Sequence, residues 1–188
     1  DHRNVVAALE AKMAKGEIKL AYAPGGHGYL ESVLAALKVS PESQVLPFTS
    51  SSLQFDRITP KTPRTLYFND DVSVGAVHPG GLIEILANDR RGGLVFYSLD
   101  NNGPGTPKLV EESARCAVCH GMVNNVAPGW IVANIIATAD GALASGSRSG
   151  LPAVTANDVA KTVRRMTVAS ATVGVPLSAC SRIFIVSG

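Results

Sequence analysis

Five consecutive residues, Cys116-Ala117-Val118-Cys119-His120, carry the clearest chemistry in the chain. Two thiols three positions apart, followed at once by an imidazole, form the spacing that attaches a c-type haem. The spacing has a mechanical reason. Positions i, i+3 and i+4 share one face of a helix, so two thiols can add to the two vinyl groups of one porphyrin. The imidazole of His120 then meets the iron from the same side of the ring as its proximal ligand. Covalent attachment holds such a group even in a small, partly open pocket, and the far side of the iron decides between electron transfer and binding of small molecules.

Two other chemistries use paired cysteines. A zinc site asks for four ligands, and the sequence has no second Cys pair or His-rich partner segment to complete one. A thioredoxin-like dithiol belongs to a βαβ context, which the order of elements before Cys116 does not supply. Cys180, the third cysteine, stands apart and reads as a small buried hydrophobe or a stray thiol.

Several residues are candidates to complete a haem site. Met122 follows His120 too closely to reach the opposite side of the ring. Met166 is a candidate distal ligand, although it also reads as an apolar helix position. His78, before Pro79-Gly80-Gly81, is a second distal candidate and equally a turn residue. His27, which opens a helix, is a third, and His2 belongs to the terminus. An open five-coordinate iron is the remaining possibility. Arg115 beside Cys116, and Arg57 and Arg64 further away, could pair with haem propionates, because a guanidinium meets a carboxylate with two donors at once. Pro128 is placed to offer its preceding carbonyl to the Nδ1–H of His120.

Two further motifs carry weaker chemistry. Pro24-Gly25-Gly26-His27-Gly28 could cradle an anion, but no Lys-Ser/Thr follows and a tight turn accounts for it. Asn69-Asp70-Asp71 could hold a hard cation, and a solvated turn between strands accounts for it equally.

The elements that must position the Cys-x-x-Cys-His run read as α+β: N-terminal helices, an antiparallel β-meander, then the haem-attachment helix. Val5, Val6, Leu9 and Met13 recur at helical spacing, and Gly16 stops the first helix. Leu30, Val33, Leu34 and Leu37 predict a second helix from His27 to Lys38. Gln44–Phe48 reads as a short strand. Leu66–Phe68, Val72–Val77, Leu82–Leu86 and Leu94–Leu99 are short apolar runs separated by turn residues, the mark of a meander. A Gly/Pro-rich loop, Asn101–Pro107, leads to a helix expected over Val110–His120. Trp130–Ala137 reads as one more strand, Asp140-Gly141 as a turn and Asn157–Val168 as a helix.

Composition sets the frame. The chain has 188 residues, 46% of them hydrophobic and 17% charged, with a formal net charge of +2, so it can bury a core. Only 5% of residues are aromatic, leaving Val, Ile, Leu and Ala to build that core. No block of like charge argues for nucleic acid or an anionic membrane. Trp130–Ala144 and Met166–Cys180 are the most apolar stretches, and they are too short or too interrupted to span a bilayer. The chain opens on Asp1, which fits removal of a secretion signal and maturation of a haem protein outside the cytoplasm.

A resemblance extends this reading. Residues 111–122, with Gly121 after the histidine, look like a cytochrome c attachment helix. Over roughly residues 28–144, the runs Ser52-Leu53-Gln54-Phe55-Asp56-Arg57-Ile58, Thr62-Pro63-Arg64, Tyr67-Phe68-Asn69-Asp70-Asp71-Val72 and Phe96-Tyr97-Ser98-Leu99-Asp100 resemble a group of bacterial single-haem cytochrome-like proteins. The resemblance implies a periplasmic or secreted haem c protein without implying a reaction. It divides the chain into an α+β haem c domain over 1–144 and a divergent C-terminal segment over 145–188. That segment holds Ser, Ala and Arg where a Trp- and Gly-rich stretch is expected, and its composition also fits a loosely packed tail or a shifted reading frame. Electron transfer to a redox partner protein is the leading function, since no catalytic constellation stands out. A haem-based gas sensor is the second class. A haem c enzyme of the hydroxylamine-oxidising kind, with Lys61 or Lys108 crosslinked to the porphyrin, is the third.

Overall fold

The computed structural model describes residues 3–25, 27–50, 52–91, 93–120 and 138–142. The sites expected at His2, Met122, Pro128, Met166 and Cys180, the strand over Trp130–Ala137, the helix over Asn157–Val168 and the segment 145–188 lie outside them.

Among the described residues, five strands form one antiparallel sheet in the order β1-β2-β3-β4-β5. They are β1 (Arg64–Phe68), β2 (Val72–Val77), β3 (Leu82–Asp89), β4 (Gly93–Asp100) and β5 (Leu109–Glu111). The meander follows from alternation within each run and turn chemistry between runs. At the first turn, the Asn69 side-chain oxygen accepts from the N–H groups of Asp71 at 2.9 Å and Val72 at 3.0 Å. Its amide donates to the carbonyls of Leu37 and Lys38. Asn69 is thus spent on building the turn and tying it to the end of the second helix.

Register places one apolar row after another on a single face. Tyr67 lies opposite Val74, Val74 opposite Ile85, Ile85 opposite Tyr97, and Leu99 opposite both Ile83 and Leu109. Helices α1 (Val5–Ala14) and α2 (Leu30–Ala36) contribute Val6, Leu9, Leu30, Val33 and Leu34 to the same core. Ile83, Ile85 and Leu99 are among the largest side chains fully enclosed. Each such side chain contributes about 1.5–3 kcal/mol through removal from water.

Asn4 starts α1 by accepting the N–H groups of Val6 and Ala7 on its side-chain oxygen. Its amide donates to the Asp89 carboxylate and to the Tyr97 hydroxyl, both at 3.0 Å. One residue therefore caps the helix and ties it to β3 and β4. Burial raises the Tyr97 pKa, the Asn4 hydrogen bond works against that rise, and the carboxylates of Glu111, Asp89 and Glu10 add to it.

Three expectations from the sequence are corrected. α2 spans Leu30–Ala36, not His27–Lys38. Gly28, at φ +57, pairs back to Ala23 before the helix can start, and Lys38 at φ +56 lies beyond its end. Gln44–Phe48 is not a strand of the sheet. Val45 forms only an isolated bridge with Leu66, and Pro47 accepts from the Arg64 N–H but has no N–H to extend the ladder. The helix that holds the cysteine motif, α3, spans Ser113–His120 and not Val110–His120. Leu109–Glu111 pair with β4 as a fifth strand, with Leu109 buried and Val110 exposed, an alternation too short to be recognised in sequence. The turn expected at Asp140-Gly141 is present, closed by bonds between Thr138 and Ala142 and between Gly141 and Thr138. Among the described residues, no helix is long and apolar enough to cross a membrane.

Candidate cofactor-attachment helix

α3 carries the Cys-x-x-Cys-His run at its C-terminal end, and its position is set by the residue that precedes it. The N–H of Glu112 donates to the Phe96 carbonyl at 2.8 Å, continuing the β5 ladder for one more residue. The Glu112 carbonyl then accepts the first helical bond, from the N–H of Cys116 at 2.9 Å. Strand and helix therefore meet at a single peptide. The Ser113 hydroxyl contacts the Phe96 N–H at 3.3 Å, which holds the first turn against β4.

The Glu112 side chain anchors the same junction. It is 11% exposed and accepts from the Ser98 hydroxyl at 2.8 Å. Arg115, one turn along, directs Nη1 at both carboxylate oxygens at 3.1 and 3.2 Å. A carboxylate in this place also suits the positive end of the helix dipole. Because 113–120 is helical, positions 116, 119 and 120 stand at i, i+3 and i+4 on one stripe of α3. Cys116 is half-buried, one residue past the Arg115–Glu112 pair.

On the sheet face opposite the two-helix core, one register row carries two polar residues, Glu84 and Ser98, at its centre. In register it reads Leu66, Gly75, Glu84, Ser98 and Val110, one residue from each strand. Glu84 is 8% exposed. Arg64 on β1 reaches across β2 to it, with Nη2 at 2.5 Å from Oε2. Gly75 makes that crossing possible, since a Cβ there would lie 2.6 Å from the guanidinium. The contact is within ion-pair distance without hydrogen-bond geometry, and Arg64 Nε and Glu84 Oε1 are likewise buried without a hydrogen bond. Sequence reasoning missed Glu84, Ser98 and Glu112. A charged residue at the centre of the apolar run Leu82–Leu86 was the available signal.

The structure assigns partners to all three arginines considered for propionates. Arg115 holds Glu112, Arg64 holds Glu84, and Arg57 donates to the Pro79 carbonyl in the β2–β3 turn. His78 stands exposed at the end of β2, and His27 lies beside it with ring centroids 5.5 Å apart. Lys61 sits in the Thr59–Thr62 turn, its N–H bonded to the Thr59 hydroxyl, while Lys108 is exposed just before β5. Among the described residues, no group of three or more His, Cys, Asp or Glu is arranged to hold a metal ion.

The donor set on α3, two thiols and an imidazole at helical spacing, fits covalent haem. Comparison of the chain with protein-family models, with curated proteins and with solved structures finds no match.

Proposed function

We propose that the chain is a monohaem c-type cytochrome, matured in the periplasm or outside the cell, that passes single electrons to a partner protein. The observation that carries this reading is the helical backbone over Ser113–His120, which sets Cys116, Cys119 and His120 at i, i+3 and i+4. Cys116 and Cys119 would each add a thiol across one vinyl group, sulfur to one carbon and hydrogen to the other, so attachment consumes no oxidant. His120 would serve as proximal ligand. The haem, once bound, supplies an iron that exchanges one electron between two oxidation states.

The chain's own contribution is position. Glu112, gripped by Ser98 and Arg115, fixes the start of α3 against β4, so the attachment stripe begins from a rigid edge. This support acts through the helix and not on the iron, which makes Ser98, Glu112 and Arg115 positioning residues.

The test is expression with a haem c maturation system. The expected product gains the mass of one haem, keeps it after denaturation, and shows a reduced low-spin spectrum unchanged by carbon monoxide. Replacing both Cys116 and Cys119 by Ser abolishes the mass gain. A colourless chain with the mass of its amino acids overturns the proposal. A high-spin spectrum that shifts with carbon monoxide retains the haem but replaces electron transfer by gas binding.

A further inference from the structure

We propose that Asn102 is a self-modification site: its side-chain amide condenses with the Gly103 nitrogen, and water opens the resulting succinimide to isoaspartate and aspartate. The inference is independent of the haem reading. Asn102-Gly103 is the one Asn-Gly step in the sequence. Ring closure needs the next main-chain nitrogen to reach the asparagine Cγ, and a side chain on the next residue obstructs that approach. Gly103 has no side chain, and a Cβ built there would meet nothing within 4 Å, so its peptide has room to turn. Among the described residues, the Gly103 N–H has no hydrogen-bond partner to hold it back.

The Asn102 amide is oriented at both edges. Its oxygen accepts from the Gly81 N–H at 2.9 Å, and its nitrogen donates to Asp100 Oδ1 at 2.7 Å. Hydrogen bonds to an amide lie near its plane, whereas attack comes on its face, so neither bond stands in the way. The Gly81 N–H meets the oxygen that gathers negative charge when Cγ becomes tetrahedral. The Gly103 nitrogen gives its proton to water and bonds to Cγ. The Cγ–Nδ2 bond then breaks, and ammonia leaves with a proton returned by water. Asn102 is exposed, so water also reaches the imide. Its addition at Cγ gives aspartate, and its addition at the main-chain carbonyl of residue 102 gives isoaspartate. Water is the sole co-reactant, and nothing is oxidised or reduced.

The modification acts on a junction. Gly81, in the β2–β3 turn, is buried, and residues 101 and 102 satisfy both of its backbone groups. Its carbonyl accepts from the Asn101 N–H at 2.9 Å, and its N–H is the one bonded to Asn102. Asn101 also holds the start of α2, accepting from the Tyr29 N–H at 2.7 Å and donating to the His27 carbonyl at 3.3 Å. Further on, the loop is fastened at Gly105, whose N–H and carbonyl both bond to the Tyr29 hydroxyl, at 2.9 and 2.8 Å. Isoaspartate carries Cγ into the main chain between these fixed points, which takes its oxygen off Gly81. Aspartate sets a carboxylate where Nδ2 met Asp100, turning attraction into like-charge repulsion. Either product loosens the β2–β3 turn from loop 101–107, while Asn101 keeps its own bonds.

The test incubates the fresh full chain in neutral buffer at physiological temperature, beside a free peptide spanning Leu99–Lys108. Peptide mapping is expected to find a gain of about 1 Da at position 102, and an isoaspartyl methyltransferase to label the same position. Gly103→Ala, which has space for its methyl group, slows the gain by about tenfold or more. In the aged chain, amide exchange at Gly81 accelerates by about tenfold, while exchange at Ile83 keeps its fresh rate. Aged Gly103→Ala keeps the fresh rate at Gly81 as well. An intact Asn102 in the full chain after the free peptide has reacted overturns the proposal. So does a modified Asn102 that leaves Gly81 exchange unchanged.

Discussion

The Ser98 hydroxyl on β4 donates to Glu112 at 2.8 Å, and this bond ties β4 to the residue at the strand–helix junction. Ser98 is 5% exposed, so its partner carboxylate depends on it and on Arg115 for satisfaction. Ser98→Ala removes a charge-assisted bond and leaves Glu112 short of a donor. The expected cost is about 1–3 kcal/mol in denaturant unfolding. The local effect separates this from general loosening: amide exchange at Cys116 accelerates more than exchange at Ile83 or Ile85 in β3.

Arg64 and Glu84 test the same sheet face. Removing one partner of a buried pair strands the other, whereas replacing both with apolar groups of similar size does not. Arg64→Met is therefore expected to cost about 2–4 kcal/mol, and Arg64→Met with Glu84→Leu to recover most of it. Gly75→Ala falls between wild type and Arg64→Met, because a Cβ displaces only the flexible end of Arg64. A double-mutant cycle from urea unfolding gives the coupling. Additive effects at Arg64 and Glu84 would mean that the pair does not act as a unit.

Asn4 combines a helix cap with two tertiary bonds. Asn4→Ala loses the acceptor for Val6 and Ala7 and both donors to Asp89 and Tyr97. The cap alone is worth about 0.5–2 kcal/mol, and the loss of its bonds to Asp89 and Tyr97 makes the total larger. Asn4→Asp keeps the cap but sets a second carboxylate against Asp89. It is expected to be more harmful than Asn4→Ser, measured by thermal unfolding at low salt.

Tyr97 sets an alkaline limit. Its folded pKa is raised above 10.0, first by burial, with Glu111, Asp89 and Glu10 adding to the rise. A proton held more tightly in the folded state stabilises that state. The contribution is fully present below the unfolded value of 10.0 and is lost as pH rises through the raised folded value. Stability measured by urea unfolding is expected to fall above pH 10 in wild type. It should fall less steeply in Tyr97→Phe, with phenolate absorbance appearing together with unfolding. A titration of all four tyrosines before any unfolding would contradict it.

Local pattern made much of the fold legible. The helix from Val5, the four longer strands and the turns at Asn69 and Asp140 follow from periodicity and turn chemistry, which act over a few residues. The ends of these elements were less legible, because Gly28, Lys38 and Pro47 act through backbone conformation and hydrogen-bond supply. β5 escaped altogether, since three residues hold too little alternation to be distinguished from the start of a helix.

By itself the sequence determined the spacing of Cys116, Cys119 and His120 and the meander that comes before it, because both depend on order along the chain. Only the tertiary structure decided which distant side chains meet: Arg64 with Glu84 across Gly75, Ser98 with Glu112, and His27 with His78. Such pairings arise from strand register and from loops clamped by Asn69 and Asn101. Register is settled by burying whole apolar faces at once, a collective outcome that no short segment encodes.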